Sequence, residues 1–232
     1  MKIFVIIATY NERENLGRLV KEVLALPFPI EIVVVDDNSP DGTGRLADEL
    51  RAGEPRLHVL HRPGKMGLGT AHVAGFKYSL AQKADLIMTM DADFSHDPSY
   101  IPAMLELAKS HDIVIGSRYV AGGAMVNSPS YRRWFSKTAN WFAKAMLGLK
   151  AFDCTAGFRC YKAAVFGKID LDGVFPDGYS FLMEILYRFQ SAGFSVGEVP
   201  IRFMDRKLGV SKISKNEIMK AFRTVLRLAL ER

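Results

Sequence analysis

The sequence predicts an α/β protein whose mostly parallel central sheet is flanked by helices. Short apolar, β-branched runs alternate with stretches of helical periodicity, the order of βαβ units. Two of those runs end in acids, Asp36-Asp37 and Asp91-Ala92-Asp93, and ligands of open α/β sheets bind beyond the carboxyl ends of strands. With 232 residues, 49% hydrophobic and 24% charged, the chain is long enough for one domain with an ordinary core. No internal repeat, low-complexity segment or linker divides it, so residues 1–232 read as a single domain.

Lys2 to Ala8 is the first strand by its apolar run. Asn11 followed by Glu14 resembles a capping box. Leu16, Leu19, Val20, Val23 and Leu24 continue a helix that Pro27 and Pro29 end. Glu31 to Asp37 is a second buried strand, Asn38-Ser39-Pro40-Asp41-Gly42 is turn chemistry, and a helix follows to about Ala52. Leu57 to His61 is a third strand. Lys65-Met66-Gly67-Leu68-Gly69 is a glycine loop that enters a helix near Thr70 to Gln82. Asp85 to Met90 is the fourth strand, a helix follows Pro98, and Ile113 to Ser117 is the fifth strand. A polar loop from Gly122 to Ser130 then precedes a helix from Tyr131 to Leu149. Phe181 to Gln190 is helical, with Met183 and Glu184 facing the same general region as the Asp153 segment, or with Glu184 a plain surface acid. Ser195 to Phe203 is a strand that Pro200 assigns to a sheet edge, and Ile213 to Arg232 is a basic amphipathic helix.

No run reaches the roughly 18 apolar residues of a membrane span. The strand pattern begins at Met1-Lys2-Ile3 without a signal-peptide cleavage region. Cys154 and Cys160 are too few for a disulfide framework and match no zinc spacing; they read as reduced thiols of a cytosolic protein. The net charge of +6 suits acidic partners (nucleic acid, anionic lipid or phosphorylated substrates) without choosing among them.

The chemistry concentrates in Ile87 to His96. In an extended chain residues i and i+2 point to the same side, so Asp91 and Asp93 face one point past a strand end. Two like charges that close are costly unless a cation lies between them. Mg²⁺ or Mn²⁺, shared with substrate phosphates, suits such ligands. A lone D-x-D is also common in solvated loops. The glycines complete no nucleotide motif. The first turn, Ala8 to Glu12, has none, Gly67-Leu68-Gly69 lacks the third glycine of G-x-G-x-x-G, and Gly64-Lys65 lacks the Walker A spacing. They read as turn formers.

Val5 to Glu12, Ile32 to Asp41 and Met90 to Asp93 together resemble family 2 glycosyltransferases. The likeness continues through Gly116-Ser117-Arg118-Tyr119, Tyr131-Arg132-Arg133 and Arg206 to Lys212, nearly the whole chain. It is greatest to members that pass mannose to a polyprenyl phosphate. The resemblance implies the Rossmann-like GT-A fold with C-terminal amphipathic helices. It implies metal-dependent, inverting transfer of a hexose from a nucleotide sugar, GDP-mannose first, to a polyprenyl (dolichyl) phosphate. UDP-glucose-dependent transfer to the same acceptor is the alternative. Residues 1–118 would be the nucleotide-sugar-binding half and 119–232 the acceptor-binding half.

Carried over by the same resemblance, Ala8, Tyr10, Glu12, Val35 and Asp37 hold the nucleoside. Asp91, Ala92 and Asp93 hold the diphosphate and the metal. Arg118 and Arg132 serve catalysis by bringing in the acceptor phosphate, with Arg118 also beside the donor, and Arg206 and Lys212 close a cationic lid over the diphosphate. The family usually has Pro where this chain has Ala8, and often a metal-binding Gln where it has Ser95. Ser95 is a shorter metal ligand that leaves room for a water. The implied partners are the nucleotide sugar, the polyprenyl phosphate and the cytoplasmic surface of a membrane, reached peripherally or through an anchoring partner protein. No nucleic-acid partner is implied.

Other readings stay open on the residues themselves. A transferase acting on a hydroxyl acceptor would need a carboxylate base, with Asp153 or Asp177 as candidates. Asp153 also suits contact with a sugar hydroxyl, or a turn cap. A nucleotidyltransferase would open on a glycine-rich basic loop, absent at Ala8 to Glu12, and a non-catalytic nucleotide-binding module is the fourth class. Arg206 to Lys212 could equally be a solvated loop. Along the 131–149 helix, Trp134, Phe135, Thr138, Trp141, Phe142, Ala145, Met146 and Leu149 form one stripe flanked by Arg132, Arg133, Lys137, Lys144 and Lys150. That stripe fits either a core-packed helix or an interfacial one.

Overall fold

The structure, a computed structural model, describes residues 1–174, 180–204 and 215–231, without the side chains of Arg132, Phe135, residues 215–218 and Lys220. In chain order the elements are β1 (Ile3–Thr9), α1 (Arg13–Leu24), β2 (Ile30–Asp36), α2 (Thr43–Gly53), β3 (Leu57–His61), α3 (Leu68–Ala81), β4 (Leu86–Asp91), α4 (Ile101–Leu107) and β5 (Ile113–Ser117). They continue as β6 (Ala124–Val126), α5 (Ser130–Leu147), β7 (Arg159–Lys162), α6 (Ser180–Ser191), β8 (Val196–Pro200), β9 (Arg202–Met204) and α7 (Lys215–Leu230). Seven strands form one sheet in the order β3-β2-β1-β4-β7-β5-β8, and β6 pairs with β9 in a second, two-stranded sheet.

The sheet is parallel except at β7, which runs antiparallel to both β4 and β5. Strand–helix alternation alone would have put β5 next to β4. Instead Cys160 is registered between Met88 of β4 and Val114 of β5, so a short strand from the second half of the chain lies in mid-sheet. The expected strand from Ser195 to Phe203 is also divided. β8 is the sheet edge, as Pro200 requires. The Ile201 N–H donates to the Ser117 carbonyl, while the Ile201 carbonyl accepts from Ala124 N–H at the start of the small sheet.

Period-2 alternation along the strands divides the core between two faces. Ile3, Val5 and Ile7 of β1, with Ile32, Val34, Met88 and Met90, pack against Leu16, Leu19, Val20 and Val23 of α1 and Ile101 and Met104 of α4. Phe4, Ile6, Val33, Val35 and Ile87 face the other way, toward Phe76 of α3, Phe181 to Phe189 of α6, and Val225 and Leu228 of α7. Each fully buried Leu, Val or Ile contributes roughly 1.5–3 kcal/mol. Gly75 lets α3 lie directly on β1: a Cβ there would meet Ile6 Cγ2 at 2.6 Å.

Three sequence expectations need correction. The Asn11/Glu14 capping box does not form; Asn11 lies outside α1 at φ 60°. The N–H groups at this helix start are taken by the neighbouring turn: Asn11 donates to Ser39 Oγ, Glu12 to Thr43 Oγ1 and Arg13 to Asp41 Oδ2, at 3.0–3.2 Å. Glu184 is no surface acid. It is fully buried, with Oε1 accepting from Arg188 and Oε2 paired with Arg227 Nη2 of α7. The α5 stripe is not one face either. Ala143 and Leu147 point inward and Phe142 stacks on Phe222 of α7 at 5.1 Å, whereas Trp134 (69%) and Trp141 (71%) are exposed. Cys154 and Cys160 are free, buried thiols, and burial pushes each up to about 12.

His72 of α3 is buried between Phe76 and Phe181, and neither ring nitrogen has a hydrogen-bond partner among the described residues. Burial, aided by Arg159 and His96, lowers its pKa from 6.5 to about 3. As pH falls, the unfolded chain therefore binds this proton before the folded one does. Stability is expected to drop between about pH 6.5 and 3, approaching 1.4 kcal/mol per pH unit from this residue. Urea unfolding at stepped pH measures the slope, and His72→Leu should make it shallower by about one proton.

Candidate active site

β1 lies between β2 and β4 in parallel register, so Ala8 is paired with Val35 on one side and Asp91 on the other. Three of the positions singled out from sequence therefore end level, in a row at the carboxyl edge of the sheet. One residue further, the Thr9 hydroxyl donates to Asp36 Oδ1 at 2.8 Å, and Asp36 also accepts from the Ser39 N–H and hydroxyl. Asp36 thereby locks the β1 and β2 loops together.

Asp37 is buried and works within the protein. It pairs with Arg62 Nε at 2.6 Å, and its Oδ2 accepts the N–H groups of Met66 and Gly67. Arg62 also donates to Thr70 Oγ1 and the Gly67 carbonyl. The pair fixes the loop before α3, where Gly67 takes φ +97° as the sequence's turn-former reading requires. Glu12 is buried at the head of α1 and accepts from Asn15 Nδ2. Tyr10 lies beneath the Lys65 ammonium, 4.4 Å from its ring centroid.

After β4 the chain turns sharply through Phe94, at φ 58°, a left-handed conformation uncommon for a bulky residue. Ser95 N–H donates to Asp93 Oδ1 at 3.0 Å. The Ser95 hydroxyl is buried and without a hydrogen-bond partner among the described residues. His96 is buried behind this turn. Its Nδ1 accepts from Asp91 N–H at 3.0 Å and its ring stacks on Phe158 at 5.1 Å. Burial lowers the His96 pKa, opposed by the charges of Asp91 and Asp93. The ring is thus neutral, with Nδ1 as an acceptor that fixes the Asp91 backbone. Among the described residues no three His, Cys, Asp or Glu side chains converge on one point. A cation here would rest on Asp91, Asp93 and Ser95, completed by ligand oxygens, an arrangement that suits Mg²⁺ or Mn²⁺.

Arg118 follows the end of β5 and is held by Asp153. Its backbone N–H and Nε donate to Oδ2, and Nη2 donates to Oδ1 and to Thr155 Oγ1, all at 2.7–3.0 Å. Asp153 is completely buried. Burial would raise its pKa, but the Arg118 charge and hydrogen bonds hold the carboxyl below the usual range. Both carboxylate oxygens are occupied, which removes Asp153 as a general base or a sugar contact. Arg118 Nη1 makes no hydrogen bond among the described residues. Asp177, Arg206 and Lys212 lie outside the described residues, as does the side chain of Arg132.

Sequence reasoning missed Arg62 and His96. Arg62 is the first residue past β3, so the strand-end rule that found the acids marks it too. His96 lies inside the quoted Ile87 to His96 stretch, but its bond to the Asp91 backbone depends on the turn at Phe94.

Removing one partner of a buried ion pair leaves an uncompensated charge. Asp153→Asn should therefore lower stability by roughly 3–5 kcal/mol in urea unfolding. A general base at this position would instead lose activity at unchanged stability.

The glycosyl transferase family 2 pattern matches residues 4–170. The chain is 47% identical over 222 residues to the polyprenol monophosphomannose synthase of Mycolicibacterium smegmatis, covering 95% of this chain and 84% of that one. It is 43% identical over 230 residues to the undecaprenyl-phosphate mannosyltransferase of Micrococcus luteus, covering 99% and 95%. The fold is similar to glucosyl-3-phosphoglycerate synthase of Mycobacterium tuberculosis in complex with Mn²⁺, UDP and glucosyl-3-phosphoglycerate, at TM-score 0.66 and 16% identity over 99% of this chain and 79% of that chain. With the sheet, the strand-end acids and these similarities in place, the chain belongs to glycosyl transferase family 2.

Proposed function

We propose that this enzyme transfers mannose from GDP-mannose to the phosphate of a polyprenyl phosphate, with inversion at the anomeric carbon. The observation that carries the reading is the level row of Ala8, Val35 and Asp91, with Asp93 and Ser95 just beyond it. The two mannosyltransferase relatives support the sugar and the acceptor class. GDP as the donor nucleotide rests on the sequence resemblance.

Asp91, Asp93 and Ser95 would hold Mg²⁺ or Mn²⁺, which when bound neutralises charge on the departing diphosphate. Ala8, Tyr10, Glu12 and Val35 line the nucleoside side, and Asp37 serves it by fixing the loop at Met66 and Gly67. A phosphate monoester has a second pKa near 6, so the acceptor oxygen is already anionic and needs no base. The engagement of Asp153 by Arg118 agrees with that chemistry. Cations must instead bring two anionic substrates together, and Arg118 offers its Nη1 arm. Arg132, Arg206 and Lys212 are assigned to the phosphates from sequence.

The acceptor's hydrocarbon keeps it in a bilayer, so the enzyme docks there, peripherally and on the cytoplasmic face. No helix among the described residues is long and apolar enough to cross a membrane. Tyr131, Trp134 and Trp141 of α5 and Met219, Phe222, Leu226 and Leu230 of α7 are exposed. Aromatic and aliphatic residues on such a face suit the headgroup boundary.

Asp93→Ala should lower kcat/KM by at least about a hundredfold, with loss of metal-dependent donor binding in a folded protein. GDP-mannose with Mg²⁺ or Mn²⁺ should raise the melting temperature more than UDP-glucose does, since a ligand that binds the native state stabilises it. The reverse order would transfer the donor assignment to UDP-glucose. Arg132→Ala should weaken use of polyprenyl phosphate while nucleotide-sugar affinity stays nearly constant. An equal loss of both would contradict its assignment to the acceptor.

A further inference from the structure

A groove of about 480 Å³ lies between α5 and the segments at Arg118 and Phe152, lined by Arg118, Tyr119, Lys137, Trp141, Lys144 and Phe152, among others. Its floor is rigid. Asn140 of α5 donates to Thr155 Oγ1 at 3.1 Å and accepts from Cys154 N–H at 2.7 Å, which ties the helix to the 153–155 segment. The charges in the groove are unevenly matched. Arg118, at the inner end, is paired with Asp153 through Nε and Nη2, and its remaining Nη1 is assigned above to the acceptor phosphate. Glu198, behind the wall, is occupied by the N–H groups of Phe152 and Asp153. Lys137 and Lys144 have no carboxylate partner among the described residues. Lys144 Nζ sits over the Phe152 ring at 3.8 Å and donates to the Lys150 carbonyl. Two uncompensated ammonium groups thus face a cavity with aromatic walls, and exposed Trp141 stands at its rim.

We propose that this groove binds the headgroup phosphate of an anionic phospholipid in the membrane that the enzyme docks on. The inference rests on the membrane reading above and adds a discrete site to it. The lysines receive the phosphate diester, with Trp141 and Phe152 beside the glycerol and first methylenes. The charge complementarity points to an anionic lipid rather than a neutral one. The apolar rim, continuous with the exposed face of α5, points to a lipid rather than a soluble anion.

The test is co-sedimentation with vesicles of phosphatidylcholine alone and of equal parts phosphatidylcholine and phosphatidylglycerol. Wild-type protein is compared with Lys137→Gln/Lys144→Gln. A control, Arg133→Gln/Lys150→Gln, removes the same charge from the same helix region outside the groove. The groove variant should bind the anionic vesicles about tenfold or more weakly, because each basic residue near such a surface adds about a factor of five. The control should lose clearly less. Equal losses in the two variants would mean diffuse attraction and would overturn the site while sparing the membrane reading. Wild-type protein that ignores both vesicles would overturn both and leave docking to a protein anchor. Transfer to a short-chain, water-soluble acceptor phosphate, measured without vesicles, should be the same in the groove variant as in wild type. A loss there would make the groove part of the acceptor site and sink the phospholipid assignment. Inorganic phosphate that protects the groove lysines from acylation as well as the anionic vesicles do would likewise overturn it.

Discussion

β1 is paired with β2 from Ile3 to Thr9 on one side and with β4 from Ile3 to Ala8 on the other, both parallel to it. Parallel pairing in register forces three strands to stop at one level, so the loops after them leave the sheet side by side. The β1 loop is short enough for its N–H groups to be taken by Ser39, Asp41 and Thr43 of the β2 loop. That cross-bonding substitutes for an ordinary side-chain cap on α1 and makes the two loops one rigid rim. Both core layers serve the same end. Apolar residues on alternate faces of β1, β2 and β4 hold helices against each side of the sheet, and little is left that can slide.

On that rim the charges are sorted by depth. Asp36, Asp37 and Asp153 are buried and consumed by internal partners, with Arg62 and Arg118 supplying the cations for the last two. Asp91 and Asp93 stand at the end of β4 and are only partly buried, which leaves them within reach of the cation and diphosphate proposed above. A neutral His96 behind them adds no positive charge that would compete with a metal, and its acceptor nitrogen holds the Asp91 backbone. Among the described residues the deeply buried acid beside Arg118, Asp153, is tied up as its counter-ion, which agrees with the proposed transfer to an acceptor that is already anionic.

The second half of the chain contributes to the same sheet through β7 and β8, then builds the face that carries α5 and α7. Glu184 is the anchor of that face. Buried in α6 and shared by Arg188 and Arg227, it ties α7 to the core through charge. Phe142 and Phe222 stack between α5 and α7. Large apolar side chains stay exposed beyond that contact because the inward positions of α5 are already filled by Asn140, Ala143 and Leu147.

Local sequence determined most elements and the row of site residues. Runs such as Ile3 to Ile7 and Ile30 to Val35 encode strands by composition, helical periodicity marks α1 and α6, and a strand end followed by Asp91 and Asp93 is legible because strand period and chain direction are local properties. The family motifs likewise marked the positions proposed for the donor side. What the tertiary structure alone decided are relations between distant residues. The insertion of β7 between β4 and β5 joins strands whose order no local run encodes, and the pairing of Asp153 with Arg118, the burial of Glu184 by Arg227 forty-three positions away and the Asp37–Arg62 pair join charged residues whose separate sequences are compatible with solvent. A lone acid carries no mark of whether a cation waits for it across the fold. Likewise, an apolar stripe on a helix does not say which part of it the sheet will cover. Both are settled by packing, which depends on the whole chain at once.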